Sequence, residues 1–146
     1  MAHHNACVAG LDALLQKEGP AGDAASPQNR LQVAKALIHS ADISPPAKML
    51  KTHVEWTDRV MQEFYDQAAQ ELANGKAKAS LPTRGSVVLG KFQLGFIGWI
   101  RPLFAKIAAL PSVNYDAAVQ HLEGSKAHWI AETAPKPADA LPVVNS

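Results

Sequence analysis

Apolar residues recur along this chain at helical rather than strand spacing. Val8, Leu11, Leu14 and Leu15 fall on one face and predict a helix from His3 to about Lys17. Glu18-Gly19-Pro20 stops it, and a loop follows over Ala21–Ser26. Ser26-Pro27 has the form of an N-cap with proline at the first helical position, and Leu31, Ala34, Leu37 and Ile38 carry the next stripe to His39. Ser44-Pro45-Pro46 closes that helix, because two successive prolines cannot continue it. The longest amphipathic segment runs from about Leu50 to Asn74, with Gly75 beyond its C-terminus. Its apolar positions Trp56, Val60, Phe64, Ala68 and Leu72 recur every four residues and predict a continuous buried face.

A polar linker spans Lys76 to Gly85, in which Lys76, Lys78 and Arg84 form a loose basic loop. Val87 to about Ile100 is almost free of charge and predicts a helix buried on more than one side. Pro102 is expected to interrupt it, with Leu103–Leu110 continuing after a kink. A last helix is predicted from Asn114 to about Ala131, with Tyr115, Val119, Leu122 and Trp129 as its apolar side. The segment 133–146 holds three prolines and reads as a disordered Pro/Ala-rich tail. The pattern calls for no strand, so the expected fold is all-α, a bundle of about five helices.

Composition narrows the class. Of the 146 residues 47% are hydrophobic, but 26 are alanine, so large core side chains are scarcer than that percentage suggests. The net charge of +1 gives no general attraction to nucleic acid or anionic membrane. The apolar charge-free run Phe92–Ile100 is far short of the ~20 residues a membrane span needs. A lone cysteine, Cys7, excludes an internal disulfide framework and a cysteine-based zinc module, and fits a reducing, cytoplasmic setting.

Three features could carry chemistry. His39 and Asp42 lie three apart at a helix end, close enough to serve one site, and a carboxylate there suits zinc or magnesium. A histidine favoured by the helix dipole and an aspartate in a local turn explain the same pair, and spacing alone leaves both readings open. Gln93 sits in the apolar run Phe92–Ile97, where an unpaired amide costs roughly 1–3 kcal/mol. Its donor and acceptor suit the edge of a heteroaromatic ring, and Phe96, three residues on, could stack on that ring. A buried glutamine paired with a neighbouring helix is an equally good account. In Trp56-Thr57-Asp58-Arg59-Val60-Met61, Trp56 and Val60 read most simply as core, and Asp58 and Arg59 as a solvated face. Adjacent His3 and His4 point about 100° apart on a helix and chelate poorly, and Cys7 reads as a small buried hydrophobe.

Taken in order, these segments resemble the class I 3′,5′-cyclic nucleotide phosphodiesterases, in the C-terminal half of their catalytic domain. Leu37–Ser44 (LIHSADIS) is similar to the family's I-H-C-A-D-I/L-S, and Glu55–Phe64 (EWTDRVMQEF) to its W-T/A-x-R-V/I-x-x-E-F helix. Phe92–Ile97 (FQLGFI) is similar to its Q-x-G-F-I/V/M element, followed by the Pro102-Leu103 pair, and Met1–His4 resembles the D-M-x-x-H opening a helix midway through the domain. The three blocks are in register over about residues 1–130.

The resemblance implies hydrolysis of cAMP or cGMP at a two-metal centre of zinc with magnesium or manganese. Asp42 then matches a metal ligand, Gln93 the glutamine that hydrogen-bonds the purine, Phe96 the ring stacked on it and Val60 the grip on its opposite face. Thr57 and Met61 match substrate-pocket positions, while His39 and Trp56 match supporting ones. Residues 1–132 are expected to form the C-terminal part of the catalytic domain. The family's H-N-x-x-H and H-D signatures are absent, so the isolated chain is expected to be inactive and to resemble a truncated domain. Pro45 stands where many members have an asparagine and His53 where a tyrosine is common. Ala68–Glu71 departs from G-D-x-E, and the stretch before Pro102 is one residue short. The competing expectation is a non-catalytic helical module that binds a nucleotide or protein, or associates with itself through exposed apolar faces. Sequence alone does not choose between cAMP and cGMP.

Overall fold

A computed structural model of the protein describes residues 2–18 and 26–134. The described residues form five α-helices and no strand: α1 (Ala2–Glu18), α2 (Pro27–Asp42), α3 (Leu50–Ala73), α4 (Leu89–Ala108) and α5 (Asp116–Thr133). A short 3-10 turn, Pro45–Ala47, follows α2. The expected loop at 21–25 and the expected tail from 135 onward lie outside the described residues. Among the described residues no helix is long and apolar enough to cross a membrane.

The helix ends follow local chemistry. Ser26 has extended backbone, and its hydroxyl accepts the N–H of Asn29 at 3.1 Å, so α2 begins on a side-chain cap with Pro27 at its first position. Gly75, just beyond α3, has φ of 85°, a conformation that only glycine adopts without penalty. Ser44-Pro45-Pro46 ends α2 as the prolines require, and Pro46 and Ala47 are buried where the turn packs against α5.

α4 is the central element. It lies along α5 and also meets α1 and α2. Ile97, Ile100, Leu103, Phe104 and Ile107 of α4 join Leu11 of α1 and Leu122 of α5 in the fully buried core. Contrary to the expected interruption, α4 continues through Pro102. Pro102 and the residue four before it, Gly98, are both exposed, so the lost backbone bond falls where water can replace it. Polar ties join the layers: the Tyr115 hydroxyl donates to Ser40 Oγ at 2.7 Å, and Ser40 donates to the Leu37 carbonyl at 2.8 Å. Lys106 of α4 pairs with Asp12 of α1.

Two further expectations need correction. The buried side of α3 is not Trp56–Val60–Phe64–Ala68–Leu72: the buried residues are His53, Thr57, Met61 and Ala68. Trp56 is 46% exposed, so it is no core residue, while Val60 and Phe64 are half-buried. The helix is therefore rotated so that its polar positions 53 and 57 meet the interior and its apolar stripe borders open space. The basic loop is not loose either. Lys76 pairs with Glu71 at 2.9 Å, Glu71 accepts the backbone N–H of Ser80 at 2.6 Å, and Arg84 donates to Gln62 at 2.7 Å while lying 4.9 Å from the Tyr65 ring centre.

Candidate functional site

The displaced apolar stripe of α3 becomes one wall of a cavity of about 330 Å³. The end of α2 and the 3-10 turn supply Asp42, Ile43, Pro45 and Pro46, α3 supplies His53, Trp56, Thr57, Val60 and Phe64, and α4 supplies Phe92, Gln93 and Phe96. Each helix contributes at three- or four-residue spacing, so one face of each is enough to build the wall. Phe64 and Phe92 meet edge to face at 6.4 Å between ring centres. Phe96 leans on Trp99 at 5.9 Å, and Trp99 is backed by the stacked ring of His4 at 3.9 Å. The exposed Trp56 indole carries the Arg59 guanidinium 5.6 Å above its ring centre.

Gln93 is the polar element of the α4 wall. It is 7% exposed, and its amide takes no hydrogen bond from any described residue. The expectation that a neighbouring helix pairs with it is therefore not met. An apolar, aromatic-lined hollow with one convergent amide is the arrangement expected for a flat heteroaromatic ligand.

The other expected site residues divide. Asp42, Trp56, Thr57, Val60, Gln93 and Phe96 all line this cavity. Met61 is buried and does not line it. His39 is turned away toward α1, where its Nε2 lies 3.1 Å from Nδ1 of His4. His4 in turn donates from Nε2 to the Trp99 carbonyl at 3.0 Å. Burial holds both of these imidazoles below the usual histidine range, against the raising effect of the Trp99 carbonyl on His4.

His53, Phe64 and Phe92 belong to the cavity although sequence reasoning gave none of them a role there. His53 is fully buried, and its Nε2 accepts the indole N–H of Trp129 at 2.7 Å. Burial, followed by the charge of nearby His128, pushes its pKa down to about 4. The available signal was a histidine at four-residue spacing from Thr57 and Met61, a mixed stripe that a purely apolar template passes over.

A metal has limited support from these side chains. Asp42 is exposed at the end of α2 and offers one carboxylate. Among the described residues no three His, Cys, Asp or Glu side chains come together as a ligand set. The residues present thus supply one ligand and do not by themselves fit a metal centre.

Known proteins are similar to this chain in sequence and in fold. The model of the 3′5′-cyclic nucleotide phosphodiesterase family matches residues 1–122. A probable 3′,5′-cyclic-AMP phosphodiesterase pde-4 of Caenorhabditis elegans is 28% identical over 99% of this chain, which spans 22% of that protein. The 3′,5′-cyclic-AMP phosphodiesterase 4C of Mus musculus is 32% identical over 73% of the chain and 16% of its own length. The crystal structure of the phosphodiesterase domain of the RhoPDE fusion protein from the choanoflagellate Salpingoeca rosetta superposes with a TM-score of 0.73 at 25% identity. That match covers 90% of this chain and 42% of the other. The chain therefore spans well under half the length of the relatives it matches, and within that span it belongs to the 3′5′-cyclic nucleotide phosphodiesterase family.

Proposed function

We propose that this chain supplies the purine-binding wall of a 3′,5′-cyclic nucleotide phosphodiesterase and that the base of cAMP enters the cavity between α2, α3 and α4. The observation that carries this reading is the Gln93 amide, 7% exposed and unpaired with any described residue, in a wall shared with Phe96 and Val60. An amide reaching the hollow from an apolar wall is open to a ligand offering both a donor and an acceptor on one edge, as a purine does. Phe96 and Val60 give the ring apolar faces to lie between, while Thr57, Trp56 and the neighbouring Met61 shape and support the wall. The cyclic-AMP names of the relatives make cAMP the first ligand to test, with cGMP as its comparison.

Residues 1–132 then act as the C-terminal part of a catalytic domain. Divalent metals, zinc with magnesium or manganese, would supply Lewis-acid chemistry at phosphorus, and Asp42 is the residue of this chain that would contribute a ligand. His39 takes a supporting part by anchoring the Asp42 end of α2 to α1. Since the chain brings one carboxylate and no companion set, no turnover is expected from it as a separate polypeptide. A cytoplasmic setting is part of this reading, and the free, buried Cys7 is compatible with a reducing compartment.

The test is calorimetric titration of the purified chain with cAMP. Binding that Gln93→Ala abolishes supports the reading; binding indifferent to Gln93→Ala, or none at all, overturns it. A second reading is a non-catalytic helical module that associates through its surface. It is favoured by Leu31 and Ile38, the latter 72% exposed, seven residues apart on one face of α2. Sedimentation of the chain with and without Ile38→Glu tests that reading.

A further inference from the structure

The linker between α3 and α4 joins two walls of the cavity, and polar contacts dock it on α3. Within it, Lys76-Ala77-Lys78-Ala79-Ser80-Leu81 sets an exposed hydroxyl two and four residues after lysines and just before an apolar side chain. The segment is neither helix nor strand, so it can be drawn into another protein's groove without breaking an element. Lys78 is exposed and makes no ion pair or hydrogen bond among the described residues, which leaves its charge open to a partner. The other two linker hydroxyls are less available. Ser86 Oγ donates to the Thr83 carbonyl at 2.8 Å and accepts the Thr83 N–H at 3.0 Å, which locks both residues in one turn. Arg84, two residues before Ser86, is held by Gln62 and the Tyr65 ring. Ser80 Oγ donates to no described group and accepts from Lys76 Nζ at 3.1 Å. Lys76 also pairs with Glu71 at 2.9 Å, and Glu71 takes the Ser80 backbone N–H at 2.6 Å. One ammonium thus serves a carboxylate and a neutral hydroxyl together.

We propose that Ser80 is a phosphorylation site for a protein kinase that reads basic residues before its target, and that the phosphate releases the linker from α3. The inference is independent of the purine reading. Lys78 offers such a kinase a cation for an acidic subsite, and Leu81 offers an apolar contact on the other side of the acceptor. In the transfer, Ser80 Oγ bonds to the γ-phosphorus of ATP while the bond from that phosphorus to the β–γ bridging oxygen breaks. ADP leaves, and the hydroxyl proton passes to the kinase's catalytic base. The product carries about −1.5 to −2 charge where a neutral hydroxyl stood. That charge faces the Glu71 carboxylate and competes with it for Lys76. Like charges at this range repel, so Glu71 gives up the Ser80 N–H and the docking opens. The Arg84–Gln62 bond then remains between linker and α3. Because α3 packs chiefly on the 3-10 turn and α5, the lost contact is one of the ties that set α3 beside α4.

The test is incubation of the purified chain with magnesium-ATP and the catalytic fragment of protein kinase C, a kinase that selects basic residues beside its acceptor. Fragmentation mass spectrometry then locates the phosphate. It is expected on Ser80, at an initial rate about tenfold lower in Lys78→Ala. A chain unmodified at Ser80, or modified only at Thr83 or Ser86, overturns the site. A rate unchanged by Lys78→Ala overturns the part given to that charge. In the phosphorylated chain the Ser80 amide is expected to exchange about tenfold faster, with α5 unchanged. The Glu71 carboxyl midpoint is expected to rise from about 2 toward its ordinary 4.5. Slower exchange or an unmoved midpoint overturns the release. Ser80→Ala keeps the backbone N–H and lacks the acceptor, so kinase treatment should leave its exchange unchanged; faster exchange in that variant assigns the effect to another residue and overturns the proposal.

Discussion

His4 hydrogen-bonds His39 across the seam between α1 and α2, Nδ1 to Nε2 at 3.1 Å. The direction of that bond is set elsewhere. The Trp99 carbonyl can only accept, so the neutral His4 must place its proton on Nε2 and receive from His39 on Nδ1. One imidazole thus joins three helices and also stacks on the Trp99 indole behind Phe96. Replacing His4 with alanine is expected to cost about 2–4 kcal/mol, from two lost hydrogen bonds and a buried void. His39→Ala, at a half-buried position, should cost less. Urea unfolding of the two variants gives the order, and a larger loss for His39→Ala would contradict it.

Acid should weaken the fold through a buried histidine. His53 has a folded-state pKa of about 4 against an ordinary 6.5, so the unfolded chain takes up its proton first as pH falls. Stability from this group is complete above pH 6.5 and declines as pH drops from 6.5 toward 4, by up to about 3 kcal/mol. The lowered pKa values of His4 and His39 act in the same sense. Unfolding curves at several pH values, with His53→Phe as the comparison, measure the slope; an equal slope in the variant assigns it to other groups.

The linker after α3 responds in the same sense but at lower pH. Glu71 has its pKa pulled down to about 2, first by the Ser80 backbone N–H and then by Lys76. Its folded value lies below its unfolded one, so the docking it provides is present above about pH 4.5 and is lost as pH falls through about 2. Carbon-detected titration of the Glu71 carboxyl should show that midpoint. Glu71→Gln should speed amide exchange at Ser80 while leaving α4 and α5 unchanged.

Gly90 is buried where α4 crosses the end of α5. A Cβ placed there would collide with Thr133 Cγ2 and stand 3.3 Å from the Trp129 carbonyl. Gly90→Ala is therefore expected to destabilise by about 1–3 kcal/mol despite its better helix propensity. The double variant Gly90→Ala/Thr133→Ser removes the offending methyl and should recover part of the loss, a coupling that a double-mutant cycle reads.

Much of the architecture was legible because caps and breakers act locally. Ser26-Pro27 and Gly75 marked helix ends from composition alone, and the structure puts helix ends at both. The family motifs located Asp42, Val60, Gln93 and Phe96, which converge on one cavity. The facing of α3 was not legible. Counting apolar residues put Trp56 and Leu72 inside, whereas the interior takes His53 and Thr57, because Trp129 satisfies the imidazole from another helix. His4 escaped for the same reason: its partners His39 and Trp99 stand 35 and 95 residues away. A buried polar side chain is recognised by what faces it, and a single sequence does not display facing pairs. The basic loop failed differently, since Glu71 and Gln62 hold it through contacts with no periodicity.

Pro102 gives α4 a mechanical character that its unbroken helical span conceals. Lacking an N–H, Pro102 leaves the Gly98 carbonyl without its helix bond at an exposed point midway along the rod. Gln93 and Phe96 lie on one side of this joint, and Leu103, Phe104 and Ile107 lie on the other. A helix lacking this bond is expected to bend there first, so repacking of the far half should be taken up at the joint. The core beyond Pro102 can thus change in sequence with little expected displacement of the cavity-lining Gln93 and Phe96.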